Sequence, residues 1–260
     1  FFKQKTAYEI RLSLVGSEMC IRDRGNMYRF FLVPILATLI AGCSYINKEI
    51  SCDQILSDTY SISSLNNFEK NKFKDLLIER YPKYDQMFQE ASEETMIDKN
   101  LLAAISFQES QWDPRAQSNM GVRGMMMVTL ETAALVGVEK RLNPEQNIKG
   151  GSRYLAMLLE KNKVGITEAD KLSIVLASYN LGPTNILKVA SLIDKNIENV
   201  SWLEIEAKLK TLKGEDLNLT DSVSYTRGQQ AIDYVGRVKE YYQLMSAHSC
   251  VQPKDQLIFF

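Results

Sequence analysis

Between Leu101 and Val128 the chain reads LLAAISFQESQWDPRAQSNMGVRGMMMV, and this run constrains the rest more than any other stretch. It opens as a strongly apolar segment at helical spacing. Leu102, Ile105 and Glu109 stand at i, i+3 and i+7, so the carboxylate shares a helix face with core-forming side chains. Pro114 disfavours helical geometry at Asp113, which places the end of the helix within a few residues of Glu109. Gly121 and Gly124 then mark a loop. A carboxylate in that position meets apolar surroundings and the negative end of the helix dipole, and both raise its pKa. A glutamate kept protonated near neutrality is what general acid catalysis requires. On spacing alone, a helix-terminal glutamate tipped into solvent stands at least level with that reading.

The remaining sequence is helical wherever a pattern can be read. Phe73, Leu76, Leu77 and Tyr81 recur at helical spacing until Pro82 breaks the run, and a second helix is expected over Lys83 to Glu94. Asp98 has the character of an N-cap for the helix that carries Glu109. Further starts are expected at Thr129, at Asn143-Pro144, at Thr167 and at Pro183, with Gly182 closing the helix before it. A last long helix is expected from Asp221 to Met245. No alternating stretch is long enough for a strand. The expectation is a single all-α domain over residues 68–246, roughly 180 residues, an ordinary size for one domain. Residues 43–67 are rich in Ser, Asn and Asp and read as a tether with room for one short helix. Residues 247–260 read as a C-terminal tail.

The chain's beginning reads differently. Residues 1–26 resemble a translated sequencing adapter, and a basic n-region sits in the right place only if translation starts at Met27. Phe30 to Ile40 is an apolar h-region too short to span a bilayer, so 27–42 is expected to be a signal peptide. It ends in Leu39-Ile40-Ala41-Gly42-Cys43, which resembles a bacterial lipobox. Cleavage before Cys43 would give a lipidated cysteine, and several acyl chains on one residue anchor durably where one does not. Ser44 after the cysteine points to the outer membrane, facing the periplasm. Cys52 and Cys250 then bracket the domain, and either a disulfide or two free thiols is open to them.

Composition removes several chemistries. With 31 basic and 32 acidic residues and no basic stripe, nucleic acid is not an expected partner. The single histidine, His248, lies near the C-terminus, so nucleophile–histidine systems lack a base and a histidine zinc site lacks ligands. No phosphate-cradling glycine loop follows a strand. No cofactor or metal is called for. Carboxylate chemistry on a glycan remains, for which an ordinary hydrolase needs two flanking carboxylates. Asp113, the nearest second candidate in sequence, reads as a turn residue beside Pro114.

QESQWDP, then Ala116-x-Ser118 and GVRGMMMV, is similar to the active-site signature of the lysozyme-like lytic transglycosylases, closest to their membrane-bound F-type members. NPEQNIKGGSRYLAMLL (from Asn143), LASYNLGP (from Leu176) and SYTRGQQAIDYVGRVKEYY (from Ser224) continue the likeness in order, so it covers Ile97 to Tyr242. The resemblance implies a lysozyme-like fold acting on peptidoglycan glycan strands as a monomer. It implies cleavage of the β-1,4 bond between N-acetylmuramic acid and N-acetylglucosamine without water, leaving a 1,6-anhydro product. Glu109 would serve as acid and then base, and an intramolecular hydroxyl nucleophile dispenses with the second carboxylate. It further implies that Ser118, Met126, Tyr179, Asn180 and Tyr234 contact substrate, and that Asn147, Gly151 and Tyr154 are mainly structural. Met127 and Gln230 depart from the wider family, which has glutamine and glutamate there. The alternatives are a non-catalytic or weakly active peptidoglycan-binding lipoprotein and a hydrolytic muramidase.

Overall fold

A computed structural model describes residues 51–118, 121–212 and 224–250, the side chains of 224–226 excepted. Cys43 and the leader regions therefore lie outside the described residues. Local chemistry sets most helix starts. Ten α-helices are described: α1 (Cys52–Ile62), α2 (Asn67–Glu79), α3 (Asp85–Thr95), α4 (Lys99–Ser110), α5 (Leu130–Val136), α6 (Pro144–Lys161), α7 (Glu168–Leu181), α8 (Pro183–Ser191), α9 (Trp202–Thr211) and α10 (Ser224–His248). Asp98, Thr129, Asn143 and Thr167 each accept a backbone N–H of the helix that follows, at α4, α5, α6 and α7. Among the described residues the only β-pairing is two isolated bridges, Gln117 with Arg123 and Arg123 with Val128.

The helix expected over Lys83–Glu94 is preceded by a single 3₁₀ turn, Tyr81–Lys83, whose opening turn tolerates Pro82 because no backbone N–H is needed there. The α9 helix was not anticipated. It starts on a reciprocal capping box, Ser201 with Glu204, and buries Trp202, Ile205 and Leu209.

α4 is the central helix. Every residue from Asn100 to Phe107 is buried, and α10 lies along it while also meeting α1, α7 and α9. The apolar positions of α10, Ala231, Tyr234, Val235, Val238, Tyr242 and Met245, recur at three- and four-residue intervals and form its inner face. An aromatic cluster holds the C-terminal end of α4: the Phe107 ring stands 4.9 Å from Phe73, 4.8 Å from Trp112 and 4.5 Å from Tyr241. Such edge and tilted contacts add to the area they bury. Trp112, fully buried, donates its indole N–H to the Ala103 carbonyl at 2.9 Å.

Of the stretch expected as a tether with room for one short helix, the described part, residues 51–67, is packed onto the domain. α1 packs its buried Ile55 against α10, and Ser63 and Ser64 both donate to the Glu240 carboxylate. Cys52 and Cys250 form a disulfide with Cα atoms 5.2 Å apart, 198 residues apart in sequence. The tail boundary moves as well, since α10 continues to His248 and buries Ala247.

Candidate active site

α4 ends where its sequence requires. Gln111 and Trp112 both adopt left-handed backbone, φ 53° and 57°, and the Gln111 N–H closes the helix on the Phe107 carbonyl. Asp113 accepts from the Arg115 N–H at 2.9 Å in a local turn and does not line the cleft. Glu109, in the last turn, opens into a cleft of about 360 Å³ together with Ser118, Val122, Met127, Thr129, Tyr179 and Asn180. Among these described lining residues it is the sole carboxylate.

The far wall is the loop from Ala116 to Val128, and three helices pin it. Ser106 and Ser110 of α4 donate to the Met125 carbonyl at 3.1 and 2.8 Å. Asn147 of α6, fully buried, accepts the Met126 N–H at 2.7 Å and donates to the Arg123 and Arg141 carbonyls. Tyr179 of α7 donates its hydroxyl to the Met126 carbonyl at 2.9 Å. Gly151 lets α6 approach, since a Cβ there would meet Met126 Cβ at 2.6 Å and the Tyr179 hydroxyl at 3.0 Å. Gly124, at φ 84°, is buried against Arg141 and Asn147, so the wall itself is built by Ser118, Val122 and Met127. The backbone groups at Arg123, Met125 and Met126 that tie the loop to these helices are thereby matched to partners, which favours holding irregular backbone rigidly, whereas the buried Arg123 Nε finds no partner among the described residues.

Burial pushes the Glu109 carboxyl up to about 7, and a smaller opposing pull comes from the Tyr234 hydroxyl, whose O–H favours the charged form. The side chain remains partly open to the cleft while its carboxyl is largely stripped of water. Tyr234 is buried behind the acid and makes no hydrogen bond of normal geometry to any described residue. Burial and the nearby Glu109 charge hold the phenols of Tyr234 and Tyr179 well above their ordinary range, so both remain neutral donors.

The expected contacts thus separate into two groups. Glu109, Ser118, Tyr179 and Asn180 meet around one cleft. Ser118 also braces the loop, its Oγ accepting the Val122 N–H at 3.2 Å. Met126 needs correction as a cleft contact: its side chain is fully buried, and it serves through its backbone N–H and carbonyl. The left-handed turn at Met127, φ 46°, brings Met127 to the cleft instead. Tyr234 supports the acid from behind and is not part of the wall. Val122 and Thr129 were missed as lining residues. Thr129 had drawn notice only as a helix cap, and an apolar Val122 between two glycines carries no local mark of a binding wall.

Residues 86–199 match the family model described as the transglycosylase SLT domain. The membrane-bound lytic murein transglycosylase F 1 of Alkalilimnicola ehrlichii is 39% identical over 174 residues, covering 66% of this chain and 35% of that protein. The membrane-bound lytic murein transglycosylase F of Photobacterium profundum is 36% identical over 195 residues, covering 75% of this chain and 38% of that protein. The chain thus spans little more than a third of either relative's length. A solved lytic transglycosylase Slt of Pseudomonas aeruginosa superposes with a TM-score of 0.47 at 18% identity, over 67% of this chain and 26% of that one, a likeness too slight to build on. The family-model match takes in Glu109, the cleft loop and the Tyr179–Asn180 pair, so residues 86–199 of this chain carry the sequence pattern of a transglycosylase SLT domain.

Proposed function

We propose that the chain cleaves the glycan strands of peptidoglycan as a lytic transglycosylase, with Glu109 as its single acid and base. The observation that carries this reading is a lone carboxyl, held protonated to about pH 7 by burial, on the floor of a cleft whose described lining offers no second carboxylate. In this reaction Glu109 gives its proton to the glycosidic oxygen as the bond from C1 of N-acetylmuramic acid to that oxygen breaks. The resulting carboxylate then takes the proton of the C6 hydroxyl as the C6 oxygen bonds to C1. The products are a free 4-hydroxyl on N-acetylglucosamine and a 1,6-anhydro ring, and Glu109 is protonated again. Holding the nucleophile within the same sugar removes the need for a positioned water. A raised carboxyl pKa matches the proton-giving half of the cycle, and the Tyr234 hydroxyl behind it eases the charged half.

Ser118 and Asn180 supply hydrogen-bonding groups at the cleft for sugar hydroxyls and acetamido groups, and Tyr179 and Met127 supply apolar surface. Asp113, turned into its own loop, is not placed to act as the second carboxylate of a hydrolase. The lipobox-like run ending at Cys43 supports a lipid anchor, and the relatives' membrane-bound names agree with a membrane location. Ser44 supports the outer membrane, and no feature calls for a second copy of the chain.

Mass spectrometry of muropeptides released from purified sacculi tests the reading. The full chain carrying Cys43→Ser should release anhydro-ended fragments, and Glu109→Gln on that background should lower release by about a hundredfold or more. Reducing-end fragments in place of anhydro ends would establish a hydrolase. Unaltered release by Glu109→Gln would remove the acid from its role.

A further inference from the structure

A second groove lies on the other side of the Tyr154–Tyr179 ring pair, whose centroids are 5.5 Å apart. It encloses about 420 Å³ between α6, α7 and α8, with Leu135 at the end of α5 on its rim. Its floor is core: Leu158, Val175 and Ile186 are 6%, 1% and 1% exposed. Its rim is apolar and open to solvent, with Leu135 62% and Leu187 50% exposed. Ligand sites are concave, mostly apolar and of about this size, and an apolar patch rimmed by polar residues is the usual mark of an interaction site.

Charge identifies the occupant. Lys161 and Lys163 flank the end of α6 and both line the groove. Neither makes an ion pair with any described residue, and no aspartate or glutamate is in the lining. Glu160 and Glu198 adjoin lining residues in sequence but pair with neither lysine. Cationic groups therefore gather at one end of a groove that is otherwise aliphatic. A helix from a partner protein would need matching polar groups along its length; a molecule with one anionic head and one long apolar body fits the asymmetry.

We propose that this groove receives an acyl chain of an anionic phospholipid, with Lys161 and Lys163 on the phosphate. The inference rests on the membrane-anchored reading for its setting: a tether at Cys43 would keep the domain near lipid, so that a weak second contact becomes effective. The domain would then meet the membrane with the α6–α8 face, and the catalytic cleft would lie beyond the Tyr154–Tyr179 pair.

Vesicle co-sedimentation of the full chain carrying Cys43→Ser, without its anchor, tests this. Binding to phosphatidylglycerol vesicles and not to phosphatidylcholine vesicles is expected. On that background Lys161→Gln with Lys163→Gln should weaken binding by about fivefold per lysine removed, and Leu187→Glu, at a half-exposed position, should weaken it further. Muropeptide release should be the same for all three proteins. Equal binding to both vesicle types, binding to neither, or binding unchanged by the substitutions overturns the proposal. So does capture of a synthetic acidic amphipathic peptide by a protein that ignores vesicles, which would assign the groove to a protein partner. A Cys43→Ser protein that releases muropeptides but binds neither vesicle sinks this inference alone; one that binds phosphatidylglycerol vesicles but releases no muropeptides sinks the catalytic reading alone.

Discussion

Glu109 holds its proton because α4 delivers it to a place where water is scarce and no cation of the described residues offsets the burial. Folding raises its pKa from 4.5 to about 7, burial being the larger cause and the Tyr234 hydroxyl the smaller, opposing one. Between those two values the folded chain keeps a proton that the unfolded chain has released. Stability contributed by this group is therefore full below about pH 4.5 and is lost as pH rises through about 7. Glu109→Gln carries no charge to bury and escapes that loss. Melting curves of the two proteins should show the variant gaining on the wild type across this window, by at most about 3 kcal/mol, with no further change outside it. A constant difference at all pH values would mean that the carboxyl titrates normally. Activity should hold across this window and fall as pH rises through about 7, since the deprotonated acid cannot protonate the leaving oxygen.

At the scale of elements, α6 is set by its glycines. Gly151→Ala would drive a methyl group into Met126 and the Tyr179 hydroxyl, and such overpacking costs about 1–3 kcal/mol. Gly236→Ala, in α10 with nothing within 4 Å of the new methyl, should instead stabilise by about 0.5–1 kcal/mol through helix propensity. Thermal melting of the two variants should shift in opposite directions, and a common direction would dismiss the close approach at Gly151. The same contrast explains what was readable beforehand. Caps at Asp98, Thr129, Asn143 and Thr167 could be read because the cap and its N–H partner lie within three residues of each other. The capping box at Ser201 was equally local, yet the charged residues between Trp202, Ile205 and Leu209 masked the apolar stripe of α9. The partition of Met126 and Met127 could not be read at all. It depends on Asn147 and Tyr179, 21 and 53 residues away, and on a left-handed turn at Met127, a residue type that rarely adopts one. α1 was taken for tether because its one buried side chain, Ile55, counts only once α10 is beside it.

For the molecule as a whole, the first and last described helices are joined twice, by the contact of α1 with α10 and by the Cys52–Cys250 disulfide. Closing so long a loop restricts the unfolded chain more than the folded one, and a native bridge of this kind contributes about 2–5 kcal/mol. Paired Cys52→Ser and Cys250→Ser substitutions should lower the denaturant midpoint accordingly while leaving the Glu109 cleft intact, which lies on other elements. An unchanged midpoint would show that α1 packing alone holds the ends. The α6–α8 groove also belongs to this scale, because the Tyr154–Tyr179 pair stands between it and the cleft, Tyr154 lining the groove and Tyr179 the cleft.

The disulfide has one more consequence, which concerns damage. Between Cys52 and Cys250 the polypeptide is a closed covalent ring. A single proteolytic nick within it opens the ring but sheds no fragment, and the two halves stay bonded through sulfur. Such a molecule keeps its mass, apart from one added water, and migrates as a single species until a reductant is added. Wear in this protein would therefore accumulate unseen, and loss of material would require either a second cut or reduction of the bridge.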